Sequence, residues 1–171
     1  KYHYRWYQLR DFNKNKNLLK GKKFLDIGCG NGFYLSNAIK QGFTGKGIEF
    51  DKKFTEILRK KTDLEVYTLE EVESTGEKFD IIHIGHMLVH LTDPITYMER
   101  IFKLGHENTN YIVDGPVENN YCLSRNLVDF FAKRNYKNKT KEFNEYDPQH
   151  LTFTNFKSQE LFFKNLGLET V

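Results

Sequence analysis

Apolar and polar positions along the chain fall into blocks whose period changes repeatedly, from short continuous apolar runs to runs with helical spacing. Lys22 to Ile27 predicts a first strand and Gly32 to Lys40 the helix behind it. Gly45 to Phe50 predicts a second strand, and Asp51 to Lys61 its helix, with Asp51 as N-cap and Phe54, Ile57 and Leu58 on one face. Glu65 to Thr68 reads as a short third strand. After a Ser-Thr-Gly turn, Phe79 to Ile84 forms a fourth whose lack of alternation marks burial on both faces. Asp93-Pro94 starts a helix with Ile95, Met98, Ile101, Phe102 and Leu104 as its apolar face, and Gly105 ends it. Asn110 to Val113 is a fifth strand, stopped by Gly115-Pro116. A helix from Glu118 to about Tyr136, a polar loop to Gln149, a helix from Asn155 to Asn165 and the opening of a strand at Leu168 complete the pattern.

Repeated strand-helix units with short connections call for an α/β fold: a doubly wound, mostly parallel sheet with helices on both faces and right-handed crossovers. Ligands of such sheets sit beyond the carboxyl ends of the strands, where strand order reverses. At 171 residues, without repeats, low-complexity stretches or linkers, the expectation is one domain over 1–171. The 39% hydrophobic and 29% charged content is that of a soluble protein, and no apolar run has the length of a membrane span. Residues 1–10 lack the apolar core of a signal peptide, and two cysteines, Cys29 and Cys122, make no disulfide framework. A cytoplasmic protein is expected. The net charge is +3, with basic runs at Lys14 to Lys23 and Lys133 to Lys141. Acidic residues nearly balance the total and no RNA-binding signature accompanies the runs, so solvated loops explain them better than a nucleic-acid surface.

The candidate chemistry centres on Phe24-Leu25-Asp26-Ile27-Gly28-Cys29-Gly30-Asn31-Gly32. Here an apolar strand passes through one carboxylate into glycines that let backbone approach a ligand ahead of a helix N-terminus. The spacing is G-x-G-x-G, not the G-x-G-x-x-G of a nicotinamide site. Glu49 follows Gly30 by 19 residues at the end of the second strand, where an acid can receive both hydroxyls of an adenosine ribose. Asp26 is costly in a buried strand unless donors surround it. Cys29 suits packing better than nucleophilic chemistry, since nothing basic is expected beside it.

Together with Gly47-Ile48-Glu49 and the run from Phe79 to Pro94, this segment resembles the class I S-adenosylmethionine-dependent methyltransferases, of the small-molecule type that includes quinone, sugar and antibiotic O-methyltransferases. The resemblance implies a Rossmann-like fold and S-adenosylmethionine as cofactor. It places Asp26, Gly28, Cys29, Gly30 and Gly32 at the cofactor's amino-acid end and turn, and Glu49 with Phe50 at the ribose. Leu69 and Glu70 would lie near the adenine, a plain helix N-terminus being the alternative for both. Ile84, Gly85 and His86 would lie along the methionine arm.

For catalysis the resemblance points to His90 and to His150 in Gln149-His150-Leu151-Thr152-Phe153 as bases, each alternatively structural. Relatives often carry a glutamate where Val89 stands, which weakens any function relying on that pair. No metal is expected, because no Cys or His pair has zinc spacing and no aspartate cluster resembles a magnesium site. Residues 1–20, with Tyr2, Tyr4, Trp6 and Tyr7, are expected as a lid, and 117–154 as the substrate-side region. The implied partner is a small-molecule acceptor. An RNA or protein methyltransferase, and a non-catalytic binding or sensor domain, are the alternatives. The family's closing antiparallel strand would follow Leu168 to Val171, beyond this sequence.

Overall fold

The computed structural model describes residues 21–115 and 155–168. These fall into two units, one of residues 21–88 and 93–115, the other of residues 89–92 and 155–168. The first is built on five parallel strands: β1 (Lys23–Ile27), β2 (Thr44–Ile48), β3 (Val66–Tyr67), β4 (Ile81–Gly85) and β5 (Asn110–Asp114). Their order across the sheet is β3-β2-β1-β4-β5. Four helices make the connections: α1 (Phe33–Lys40), α2 (Lys52–Lys61), α3 (Leu69–Thr75) and α4 (Pro94–Phe102). This is the Rossmann-like arrangement expected from the sequence. Strand order reverses between β1 and β4, so the crevice for a ligand lies past their carboxyl ends.

The apolar runs account for the centre of the sheet. Phe24, Leu25 and Ile27 of β1 and Ile81, Ile82 and Ile84 of β4 are buried, with Leu35 and Ala38 of α1 and Met98 and Ile101 of α4. Each large side chain so buried contributes about 1.5–3 kcal/mol. The helix face predicted for α4 needs one correction: Ile95 is 53% exposed, leaving Met98 and Ile101 as its buried residues. That helix ends at Phe102, short of Gly105.

Local signals set the helix starts. Asp51 Oδ1 accepts from the amides of Lys53 and Phe54 at 2.8 and 3.2 Å, and Asp93 Oδ1 from Thr96 at 3.1 Å. Helix α3 is the alternative reading at Leu69 and Glu70, a helix N-terminus. Its signal is Thr68-x-x-Glu71, a capping box in which the Glu71 amide donates to Thr68 Oγ1 at 3.3 Å and the Thr68 amide to Glu71 Oε2 at 2.7 Å. Strand β2 stops at Ile48 instead of Phe50, because the Glu49 carboxylate accepts the amides of Phe50 and Asp51 at 2.7 and 3.4 Å.

In the second unit, α5 (Phe156–Asn165) starts from a capping box between Asn155 and Ser158, and Phe163 is buried with its ring edge-on to Phe162. Leu168 is not in a strand. The predicted helix from Glu118, the lid at 1–20 and the substrate-side region 117–154 lie outside the described residues. Among the described residues no helix is long and apolar enough to cross a membrane.

Gly32 caps α1 at φ 73°, and a Cβ there would run into Leu64 Cδ1. Gly30, at φ 54°, has nothing within 4 Å of such an atom. Gly32→Ala is therefore expected to cost about 2 kcal/mol, backbone strain plus overpacking, and Gly30→Ala only the strain. Thermal unfolding of the two variants side by side checks this, Gly32→Ala having the lower Tm.

Candidate active site

The glycine turn is anchored to β2 by its own backbone. The amides of Gly28 and Cys29 both donate to Ile48 O, at 2.9 and 3.0 Å, and the Gly32 amide donates to Cys29 O at 2.9 Å. Positive φ at Gly28, Gly30 and Gly32 makes this path possible. The Gly30 amide turns the other way and donates to Glu49 Oε2 at 3.0 Å. Turn and acid, distant in sequence, are thus one unit. Glu49 is oriented by three amides, of which that of Asp51 is a long contact, so a carboxylate with about four lone-pair sites retains capacity for both hydroxyls of a diol.

Phe50 continues this surface. Its ring is 44% exposed, stands 5.3 Å from that of Tyr97 on α4, and has Cε2 3.8 Å from where a Gly28 Cβ would be. The Tyr97 hydroxyl is buried without a hydrogen-bond partner among the described residues, and burial pushes its pKa up. Gly28, Gly30, Glu49 and Phe50 are therefore brought together as the sequence led us to expect.

Below the turn lies a feature the sequence did not reveal. Register places Asp26 of β1 beside His83 of β4, and Gly85 of β4 beside Asp114 of β5. His83 Nδ1 is 2.7 Å from Asp26 Oδ1 and its Nε2 is 3.4 Å from Asp114 Oδ2, the second an ion-pair distance without the aim of a full hydrogen bond. The side chains of His83 and Asp26 are 1% and 2% exposed, that of Asp114 10%. Tyr34 of α1 stacks on the imidazole with ring centroids 3.9 Å apart. Burial alone would push the imidazole toward its neutral form; Asp114 and Asp26 outweigh burial and raise its pKa to about 9. An imidazolium held between two carboxylates explains how Asp26 is tolerated in the strand. Asp26 Oδ2 has no hydrogen-bond partner among the described residues.

Gly85 belongs to this cluster. A Cβ there would stand 2.6 Å from His83 Cε1 and 3.1 Å from Asp114 Oδ1, so the glycine makes room for the imidazole as well as for any ligand. His86, at the carboxyl end of β4, takes φ 55°, rare for a side-chain-bearing residue; its amide donates to Asp114 O at 2.8 Å and its Nε2 is 4.0 Å from Asp114 Oδ1.

Three of the expected ligand residues have their side chains in the core. Ile84 and Leu69 are buried in the core at 0% and 3% exposure, and Cys29 packs against Gly47 with its thiol pKa pushed up by burial and by Asp26 and Glu49. Glu70 is engaged by Arg100 at 2.9 Å, which lowers its pKa, and the same guanidinium holds Glu73 at 2.6 and 2.8 Å. His90 ends a 3-10 turn, Leu88–His90, and is half-buried. His150 lies outside the described residues. Among those described, no group of three or more His, Cys, Asp or Glu is arranged to hold a metal ion.

The profile of a family described as a methyltransferase domain matches residues 1–171. The chain is 34% identical to a ubiquinone biosynthesis O-methyltransferase of Aliivibrio fischeri (strain MJ11) over 100 residues, 53% of this chain and 42% of the relative. It is 32% identical to a tRNA U34 carboxymethyltransferase of Sulfurovum sp. (strain NBC37-1) over 104 residues, 56% of this chain and 35% of that protein. The match thus spans less than half the length of either relative. The crystal structure of a SAM-dependent methyltransferase from Archaeoglobus fulgidus shares the fold, with a TM-score of 0.59 at 20% identity over 95% of this chain and 66% of that one. Because the family profile covers the whole sequence, the chain belongs to the methyltransferase domain family, and its five-stranded parallel sheet has the Rossmann-like arrangement of the class I members.

Proposed function

We propose that this chain binds S-adenosylmethionine past the carboxyl ends of β1 and β2 and transfers its methyl group to a small-molecule hydroxyl. The observation that carries the reading is the Gly30 amide bonded to Glu49 Oε2 beside open space at Gly30. A pre-oriented carboxylate next to exposed backbone is what a ribose diol needs. Glu49 would take the hydroxyls, Phe50 would offer an apolar wall to the adenine, and Leu69 would contribute its backbone, with Glu70 at the rim. Gly28, Cys29, Gly30 and Gly32 would shape the turn, and Gly85 and His86 would follow the methionine arm. Asp26 Oδ2, without a partner among the described residues, is an acceptor for the amino-acid end, directly or through water.

The cofactor supplies an activated methyl group, leaving S-adenosylhomocysteine. The chain's own task is to align the acceptor within about 3–3.5 Å of that carbon, exclude water and remove the hydroxyl proton. His90 and His150 are the proposed bases. A second reading, an RNA acceptor, is favoured by the similarity to tRNA U34 carboxymethyltransferases; a non-catalytic binding domain is a third. Calorimetric titration with S-adenosylmethionine and with NAD, followed by methyl-transfer assays on hydroxylated small molecules and RNA, tests all three. Heat of binding with S-adenosylmethionine alone, and turnover on small molecules, is expected. Tight NAD binding without a response to S-adenosylmethionine overturns the assignment. RNA binding that falls steeply with salt moves the acceptor to nucleic acid, and binding without turnover leaves a sensor.

A further inference from the structure

The Asp26–His83–Asp114 cluster is more elaborate than packing requires. Three ionisable groups from three adjacent strands are gathered in the sheet, two of them on the strands that flank the point where order reverses. Register alone brings them together, and two neighbours serve them: Gly85 leaves the space and Tyr34 covers the ring. An apolar trio in the same space would avoid the desolvation of three charges. The arrangement also leaves one loose end. Asp26 gives Oδ1 to the imidazole and keeps Oδ2, fully buried and without a partner among the described residues. Since His83 is shared with Asp114, it compensates Asp26 only in part.

We propose that His83 is a positioning residue for cofactor binding: by bridging Asp26 and Asp114 inside the sheet, it fixes the Asp26 carboxylate so that its second oxygen serves the ammonium at the amino-acid end of S-adenosylmethionine. This rests on the reading of Asp26 given above. A bound ammonium completes the compensation that a shared imidazolium leaves unfinished, and the fixed Oδ1 aims the carboxylate. The groups facing His83 are Asp26 from β1, Asp114 from β5 and the Tyr34 ring from α1; Cys29 and Glu49 lie further off along the turn, and His86 beyond Asp114. All of these are present in the variant used below, so its comparison with wild type isolates the imidazole.

The test uses two ligands that share the adenosine end, S-adenosylmethionine and 5′-methylthioadenosine, the second lacking the amino-acid end. His83→Gln, which can still donate one hydrogen bond to Asp26, is expected to weaken S-adenosylmethionine by about tenfold and to leave 5′-methylthioadenosine within about twofold. Equal losses for the two ligands would show a merely structural role and overturn the proposal, as would no loss for either. Should the variant not fold, NMR titration of the His83 ring in wild type decides. Saturation with S-adenosylmethionine brings a cation to Asp26 and lowers the ring's pKa, whereas 5′-methylthioadenosine leaves it unchanged; a ring indifferent to both overturns the proposal. Wild type that binds neither ligand defeats the cofactor reading itself, an outcome distinct from wild type binding both while His83→Gln does the same.

Discussion

Glu49→Ala is expected to weaken S-adenosylmethionine binding by about 100-fold. Two hydroxyl-to-carboxylate bonds are at stake, each about 1.5–3 kcal/mol in a partly buried site, and 1.4 kcal/mol is tenfold in affinity. The loss does not reach the full sum of both bonds, because water replaces part of the solvation of the freed hydroxyls. Glu49→Gln separates charge from shape. It keeps one acceptor oxygen, which can still take the Gly30 amide, turns its NH2 toward the Phe50 and Asp51 amides that water must then satisfy, and should lose about tenfold. Folding stability should change far less than affinity: two of the three amides that Glu49 accepts, those of Phe50 and Asp51, sit at an exposed strand end where water can take them over, and only the Gly30 bond is part-buried. Calorimetric dissociation constants beside thermal unfolding for both variants check this. An alanine variant with wild-type affinity would remove Glu49 from the ribose and the central observation from the functional reading.

Glu49 also shows what was legible in the chain. Its place at the end of a strand, at a fixed distance from glycines at the end of another, follows from local pattern, and the fold only had to bring the two ends side by side. The strand-helix order was readable for the same reason, since each period is carried by a few consecutive residues. Helix α3 had an equally local sign in Thr68-x-x-Glu71, which the short, polar Leu69–Thr75 segment obscured. The core placement of Ile84 has another origin. Along a strand, neighbouring side chains point to opposite faces, so Ile84 and Gly85 could not both line one arm of a ligand, and two-sided burial had removed the alternation that tells the faces apart. The Asp26–His83 pair is the hardest case. Fifty-seven residues separate its members, and a histidine inside Ile-Ile-His-Ile carries no local mark of a partner. Only the parallel register of β1 with β4 and of β4 with β5 turns three scattered ionisable residues into a cluster.

The Asp26–His83–Asp114 cluster should dominate the loss of stability of the first unit as pH rises from 6.5 to 9. With a pKa raised to about 9 in the folded chain and 6.5 as the ordinary value, His83 favours folding by retaining a proton that the unfolded chain gives up. Below pH 6.5 both forms are protonated and its contribution is complete. Between pH 6.5 and 9 only the folded form holds the proton, and the contribution shrinks steadily. Above about pH 9 it is gone. The difference corresponds to about 3 kcal/mol, at 1.36 kcal/mol per unit of pKa. Urea unfolding at pH 6, 7.5 and 9.5 is therefore expected to give wild-type stability that falls by this amount. His83→Gln should start lower at pH 6 by about 3–5 kcal/mol, the usual cost of removing one partner from a buried ionic group, and should lack the decline attributable to His83. The two curves converge as pH rises, because the deprotonated wild type then faces the same two carboxylates with an equally neutral neighbour. Parallel curves would mean that the imidazole is already neutral at pH 6. In that case Asp26 would owe its place in the strand to something other than the charge of His83.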